Sequence, residues 1–336
     1  MRIHCCHPFA TDSMQFLSML LLGGFLIFSL GACGGNDDSS GDTDADLQTV
    51  EDNGVQLELP VEVSAGAPVE VVWSGPDNED DYISVAESGT DDDAYVHYTR
   101  TRNGSPLTVR VPDTPGDYEV RYVAAEGDEV LVRASLTVVD AEATLDVPAE
   151  VGAGARIEVA WTGPDNPDDY ISIAEQGTDD GAYANYTRTR NGSPLTVRAP
   201  DTPGNYEVRY VMAQSDRVIA RADVNVAAVE AQFDVADTLM VDTPVEVSWT
   251  GPDNPDDYIA IAERGSPDTE YIDYQRTRQG TPLSIAMPER PGQYELRYLM
   301  AQSDRVIARK PITIMPLHAT LQAPDTVNVG SGIEVN

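Results

Sequence analysis

Trp73, Trp161 and Trp249 stand 88 residues apart, and the same step carries Tyr82 to Tyr170 to Tyr258 and Tyr118 to Tyr206 to Tyr294 without an insertion. Self-similarity at a fixed period means that one structural unit has been duplicated in tandem, so the fold question reduces to what 88 residues can build. The second and third copies share WTGPDNPDDYI and AQSDRVIAR. The first reads WSGPDNEDDYI and diverges near its end as AAEGDEVLVRA. The limits that follow are 54–140, 141–228 and 229–317. Leu321, Pro324, Ile333, Glu334 and Val335 match the start of the second copy, so residues 318–336 read as the opening of a fourth.

Within a copy the apolar period is two, the mark of half-buried strands. Ile157, Val159 and Trp161 alternate with Glu158 and Ala160; Tyr206, Val208 and Tyr210 alternate with Glu207 and Arg209, which are expected to face outward. Breakers separate the runs at Gly163-Pro164-Asp165, Asn191-Gly192, Pro203-Gly204 and Ser215-Asp216. Helical periodicity is absent. About seven short strands per copy make the expected fold all-β, a tandem of three antiparallel β-sandwiches.

The run Pro203-Gly204-Asn205-Tyr206-Glu207-Val208-Arg209-Tyr210, with counterparts at Pro115–Tyr122 and Pro291–Tyr298, resembles the tyrosine corner of immunoglobulin-like sandwiches. Val120, Val208 and Leu296 stand where an antibody domain has its second cysteine, and the tryptophan lies on the second strand. The likeness is therefore closer to fibronectin type III and related bacterial Ig-like modules. It implies that the tyrosine hydroxyl bonds the backbone upstream. The whole repeat also resembles those of bacterial surface lipoproteins that often accompany a von Willebrand factor A domain, although no Asp-x-Ser-x-Ser motif of such a domain occurs in this chain.

The first residues read as an export signal. Phe16–Leu30 is apolar but shorter than the roughly 20 residues of a membrane span, and it leads into Leu30-Gly31-Ala32-Cys33. That tetrapeptide resembles the lipobox of bacterial lipoproteins, which implies cleavage after residue 32 and lipidation of Cys33. Several acyl chains would hold the protein on a bilayer durably. Gly34, in place of an aspartate, implies sorting to the outer membrane, on its periplasmic face or at the cell surface. Residues 33–53 are rich in Gly, Ser and Asp and read as a flexible acidic tether.

Charge narrows the partners. Fifty-seven acidic residues against 21 basic ones give a net charge of -36, which repels nucleic acid. All three cysteines, Cys5, Cys6 and Cys33, precede the repeats, so no disulfide framework or thiolate site falls within them. Beyond Cys33 the only histidines are His97 and His318, and the positions matching His97 hold Asn185 and Asp273, which leaves a catalytic triad without material. The expectation is a non-enzyme without a resident cofactor. Asn185-Tyr186-Thr187 fits a glycosylation acceptor pattern, a match that reads as chance in a bacterial lipoprotein.

Two sets of residues stand out. Asp77, Asn78, Asp80 and Asp81 recur as Asp165, Asn166, Asp168 and Asp169 and as Asp253, Asn254, Asp256 and Asp257, after the tryptophan strand. Four oxygen-bearing side chains in one loop suit Ca²⁺, with Asp113 or Asp201 of the preceding copy facing them; the lack of EF-hand spacing or a cadherin-type linker motif favours a solvated turn in an acidic chain. Tyr98, Arg100 and Arg102 recur as Tyr186, Arg188 and Arg190 and as Tyr274, Arg276 and Arg278, on one face of one strand. Tyrosine and arginine dominate binding hot spots, although arginine on an acidic surface also pairs locally. Arg121, Arg209 and Arg297 are expected outside on the tyrosine strand. The functional expectation is a membrane-anchored spacer that binds a protein partner through Tyr/Arg faces, or alternatively a calcium- or glycan-binding protein using the acidic loops.

Overall fold

A computed structural model describes residues 46–317, together with 322, 329, 330 and 332. The signal segment, Cys33, the tether as far as residue 45 and the residues that mark a fourth repeat lie outside the described residues. Among those described, no helix is long and apolar enough to cross a membrane.

The first repeat runs β1 (Leu47–Asp52), β2 (Val55–Pro60), β3 (Glu62–Ser64), β4 (Pro68–Ser74), β5 (Tyr82–Glu87), β6 (His97–Arg100), β7 (Leu107–Arg110), β8 (Gly116–Ala124) and β9 (Glu129–Val139). The second has β10 (Thr144–Asp146), β11 (Glu150–Gly152), β12 (Arg156–Thr162), β13 (Tyr170–Glu175), β14 (Asn185–Arg188), β15 (Leu195–Arg198), β16 (Gly204–Met212) and β17 (Arg217–Ala227). The third repeats this as β18 (Gln232–Asp234), β19 (Thr238–Met240), β20 (Pro244–Thr250), β21 (Tyr258–Glu263), β22 (Asp273–Arg276), β23 (Leu283–Ala286), β24 (Gly292–Met300) and β25 (Arg305–Met315). Each repeat is a sandwich of two sheets. In the second, one sheet has the order β10-β12-β15 and the other β11-β17-β16-β13-β14, with β11 parallel to β17 and the remaining pairs antiparallel. This is immunoglobulin-like topology, three times over.

The tryptophan strand and the tyrosine strand supply the two inner faces. Ile157 and Val159 from one sheet meet Ile171, Ile173, Val208 and Tyr210 from the other in a closed apolar cluster. The indole Nε1 of Trp161 donates to the Gly192 carbonyl at 3.1 Å, and Trp73 and Trp249 do the same with Gly104 and Gly280. At the corner, the hydroxyls of Tyr118, Tyr206 and Tyr294 each donate to a carbonyl four residues upstream at 3.0 Å, as the resemblance implies.

One expectation fails at the start of the first repeat. Leu47–Asp52, assigned to the tether, is β1, paired in full register with β2 through a turn at Asn53 and Gly54, both at positive φ. Val50 packs on the core, and an Asn-Gly turn fits the strand twist, so the six residues are worth ordering despite their acidic flank.

Adjacent repeats are joined by a recurring set of bonds. Asn166 Nδ2 donates to the Ala65 carbonyl at 3.2 Å, Gln214 Nε2 to Val111 at 3.0 Å, and the Ser215 amide and hydroxyl to Asp113 Oδ2 at 2.9 Å each. Arg110 donates back to the Pro167 carbonyl. Asn254, Gln302, Ser303 and Arg198 make the same bonds between the second and third repeats. Met212 and Met300 each enter the core of the repeat before their own.

Candidate functional site

The two residue sets read separately from sequence converge in part on one cleft, present in all three repeats. In the second, Asp168, Tyr170, Gly181, Tyr183, Tyr186, Arg188, Ala213 and Asp216 enclose about 430 Å³. Asp80, Tyr82, Tyr95, Tyr98, Arg100 and Asp128 line its counterpart of about 400 Å³, and Asp256, Tyr258, Tyr271, Tyr274, Arg276 and Asp304 line the third.

The strand geometry explains the grouping. Tyr186 and Arg188 are two apart on β14, so they project on the same side, and β13 beside it contributes Tyr170 opposite Arg188 in register. Tyr183 comes from the loop before β14. Asp216 closes the far side from the β16–β17 turn, in the left-handed conformation that aspartate tolerates. The three rings meet edge to face, with centroids 6.0 Å apart for Tyr170–Tyr183, 5.4 Å for Tyr170–Tyr186 and 5.1 Å for Tyr183–Tyr186. That arrangement suits the ring quadrupoles and holds the cluster together while its outer rings stay in water. Tyr95, Tyr98, Tyr183, Tyr186, Tyr271 and Tyr274 are between 40% and 50% exposed, whereas Tyr170 and Tyr258 are buried.

Charge is distributed unevenly in the cleft. Arg188 donates to both the backbone carbonyl and the carboxylate of Asp168, the latter at 2.6 Å; Arg100 binds Asp80 likewise, and its guanidinium stands 5.8 Å from the Tyr98 ring centroid. Asp216 and Asp304 accept hydrogen bonds from Tyr170 and Tyr258 at 3.0 and 2.8 Å. Among the described residues, none of Asp128, Asp216 and Asp304 has a cationic partner. Burial, followed by the bonded carboxylate, raises the hydroxyls of Tyr170 and Tyr258 above the ordinary tyrosine range; Tyr82 is raised by burial and then by the charge of Asp128.

Arg102, Arg190 and Arg278 do not belong to the cleft strand. They lie on the 3-10 turns Thr101–Asn103, Thr189–Asn191 and Thr277–Gln279 that follow it, and Arg278 reaches Asp256 only at 3.7 Å.

The acidic loops divide their four residues among different tasks. Asp81, Asp169 and Asp257 are buried, each accepting from a tyrosine hydroxyl and from backbone amides; Asp169 takes Tyr210, the Asn166 amide and the Ala213 amide. Burial raises the Asp169 and Asp257 carboxyls above the usual aspartate range in spite of these donors. Asp80, Asp168 and Asp256 pair with the cleft arginines. Asn166 and Asn254 reach into the preceding repeat, and Asn78 folds back on Asp81 at 3.2 Å. Asp77, Asp165 and Asp253 hold positive φ, and their backbone amides donate to the hydroxyls of Tyr122, Tyr210 and Tyr298. Asp113 and Asp201 of the preceding repeat accept bonds from Ser215 and Ser303 of the following hairpin, and the charge of Asp201 acts on Asp257. The four side chains thus do not converge on one point, and no metal-holding group of three His, Cys, Asp or Glu occurs among the described residues.

Arg121, Arg209 and Arg297 are inside, fully buried, and this corrects the outward assignment. The loop between β13 and β14, like those between β5 and β6 and between β21 and β22, folds over the tyrosine strand and turns its carbonyls inward. Arg209 donates to those of Asp179, Ala182 and Thr178 at 2.8–3.0 Å, and pairs with Glu207 at 2.6 Å. Alternation alone could not show that both faces of the strand are covered.

Tyr95, Tyr183 and Tyr271, and Asp128, Asp216 and Asp304, escaped the sequence reading as site residues. Their 88-residue recurrence was the available signal.

The chain matches no family model and no curated protein. Among solved structures it is similar to the three N-terminal domains of the bacteriophage RB49 highly immunogenic outer capsid protein, at 13% identity and a TM-score of 0.25 over 82% of this chain and 100% of that one. Extracellular domains 3–5 of Drosophila OTK (12%, TM-score 0.23, 81% and 98%) and domains FN1–FN3 of chicken CNTN1 (12%, 0.23, 80% and 97%) are similar to the same extent.

Proposed function

We propose that this chain is an exported, lipid-anchored surface protein whose sandwiches act as a spacer and as a protein-interaction or adhesion module. The observation that carries the reading is the threefold recurrence of a cleft with exposed tyrosines. Solvent-facing aromatics cost solubility, and the same pair is kept exposed at the same place in every repeat. They lie outside the three apolar cores, which close around other residues. The bonded joints add reach by limiting motion between repeats, and they fix the spacing of the clefts, which favours a multivalent partner. The lipobox-like segment at Cys33 supplies the anchor.

Two experiments test this. Metabolic palmitate labelling should mark the full chain and not Cys33→Ala, which should leave the membrane fraction; equal labelling overturns the anchor. Cells displaying the chain should adhere to a partner surface, and Tyr95→Ala, Tyr183→Ala and Tyr271→Ala together should reduce adhesion by more than the product of the single effects. Unchanged adhesion with an intact fold overturns the interaction role.

A further inference from the structure

We propose that each tyrosine cleft receives an alkylammonium group, the side chain of a lysine on a basic segment of the partner. This rests on the interaction reading above and names the chemistry of its site. Three features point to a cation.

The first is uncompensated charge. Arg188 is already committed to Asp168, so the second cleft keeps the carboxylate of Asp216 without a cationic partner among the described residues, and the first keeps Asp93 and Asp128. A neutral ligand would leave that charge facing tyrosine rings; an anion would be repelled by it and by a chain of net charge -36. The second is the rings. A cation is attracted to the face of an aromatic ring, more strongly where water is partly excluded, and the cleft offers two half-exposed tyrosines beside the free carboxylate. The third is that the molecule already shows the same pairing inside the cleft. Arg100 sits over Tyr98 and on Asp80 at once, a cation held jointly by a ring and a carboxylate. Tyr183 and Asp216 line the same cavity and offer that pair of groups again, and Asp216 has no cationic partner among the described residues. The volume of about 430 Å³ admits the whole side chain of a lysine, and Tyr170, by bonding Asp216, holds the carboxylate in place.

The test uses the full chain, titrated with acetyl-lysine-amide while the tyrosine ring resonances are followed by NMR. Acetyl-norleucine-amide serves as the neutral counterpart, choline as a quaternary ammonium and a neutral oligosaccharide as a polar non-ionic probe. Saturable shifts at Tyr95, Tyr183 and Tyr271 with the lysine compound, none with norleucine, and a loss of roughly tenfold in affinity at the affected cleft for each of Asp128→Asn, Asp216→Asn and Asp304→Asn are expected. Asparagine keeps the acceptor that Tyr170 and Tyr258 use at positions 216 and 304 and tolerates the positive φ of all three positions, so the fold survives the change. Equal binding of norleucine or of the sugar overturns the proposal, as does indifference to the Asp→Asn changes; tighter binding of choline than of lysine overturns the assignment to a protein side chain. If adhesion still depends on the three tyrosines while the lysine probe does not bind, the ligand class fails and the interaction role stands.

Discussion

Asn166 spends its side-chain amide on the carbonyl of Ala65, in the neighbouring repeat, and Asn254 does the same to Ala153. A residue of the acidic loop therefore serves as a joint. The rest of the joint follows the same logic, because its residues change at the poles where no described repeat is met. Pro167, Gln214, Ser215 and Arg217 are replaced in the first repeat by Glu79, Glu126, Gly127 and Glu129; Gly154, Arg198 and Asp201 are replaced in the third by Asp242, Ala286 and Glu289. Where two sandwiches touch, the residues bond across the joint or leave room for it, and where none of the described repeats is met they are largely acidic.

Gly66→Ala and Gly154→Ala should loosen the joint without unfolding a repeat. Both glycines hold φ near +75°, and an added Cβ would lie 2.5 Å and 2.4 Å from the amide nitrogens of Asn166 and Asn254. The backbone angle costs an alanine about 1 kcal/mol, and the asparagine must withdraw from its carbonyl. Small-angle scattering should report a broader distribution of interdomain distances for the variant, with each repeat's melting little changed. An unaltered distribution would mean that the joint does not depend on this contact.

Arg209→Met should be among the most damaging substitutions in the second repeat. It leaves the buried Glu207 with only the half-exposed Arg221 as a cationic partner, and it takes the guanidinium donors away from the carbonyls of Thr178, Asp179 and Ala182. Breaking a buried pair by removing one partner costs about 3–5 kcal/mol. Arg209→Lys should recover little, because one ammonium cannot reproduce a planar fork with five donors. Chemical denaturation resolved by the Trp161 fluorescence would show the second repeat unfolding well before the other two; a loss below about 1 kcal/mol would show that the network is dispensable.

The strand pattern, the corner tyrosines and the repeat were legible because each leaves a periodic trace: Ile157-Val159-Trp161 has a period of two, and Tyr118, Tyr206 and Tyr294 recur at 88. What was lost depends on how loops fold over sheets. Arg209 alternates with Val208 and Tyr210 as an outward residue should, yet the loop around Asp179–Ala182 covers that face, and no local pattern encodes the covering. The cleft was half legible. Tyr186 and Arg188 share a strand face and could be paired from spacing, but Tyr183 arrives from a loop and Asp216 from a hairpin nearly thirty residues on, so only the sheet brings them together. The acidic loop suited a cation site in sequence because four oxygens are nearly adjacent; in space Asp169 points to the core, Asp168 to an arginine and Asn166 to the preceding sandwich.

Two carboxylates, the half-buried Glu119 and the buried Asp257, should respond to acid in opposite directions. Burial works against ionised Glu119, but the hydrogen bonds from Arg121 and Arg133 outweigh it and hold its carboxyl below the usual range. Its contribution is thus complete above the unfolded glutamate value and disappears as pH falls through the lowered folded one. Asp257 is raised by burial, so the folded protein takes up a proton before the unfolded chain does, and stability increases as pH falls from the raised value toward the ordinary aspartate value near 3.9. Compared across pH, the stability gap between the native chain and Glu119→Gln should shrink on acidification, and Asp257→Asn should lack the rise that the native third repeat shows. Parallel pH curves for native chain and variants would contradict both assignments.

Tyr298→Phe isolates what the core tyrosines do for the acidic loop. The hydroxyl of Tyr298 donates to Asp257 Oδ2 at 3.1 Å and accepts the Asp253 amide at 2.9 Å, so one oxygen ties the floor of the loop to its turn. Phenylalanine fills the same volume against Trp249, whose ring stands 5.7 Å away, and the apolar core is kept. The loss is therefore confined to two hydrogen bonds, one of them to a buried carboxylate, worth about 1–3 kcal/mol. Because Asn254 hangs from the same carboxylate through its backbone amide, the change should also weaken the joint to the second repeat. Hydrogen exchange would show faster exchange at Asp253, Asn254 and Ala301 in the variant, while amides in β21 and β25 keep their protection. Uniform loosening of the whole third repeat would instead mean that the hydroxyl supports the core itself.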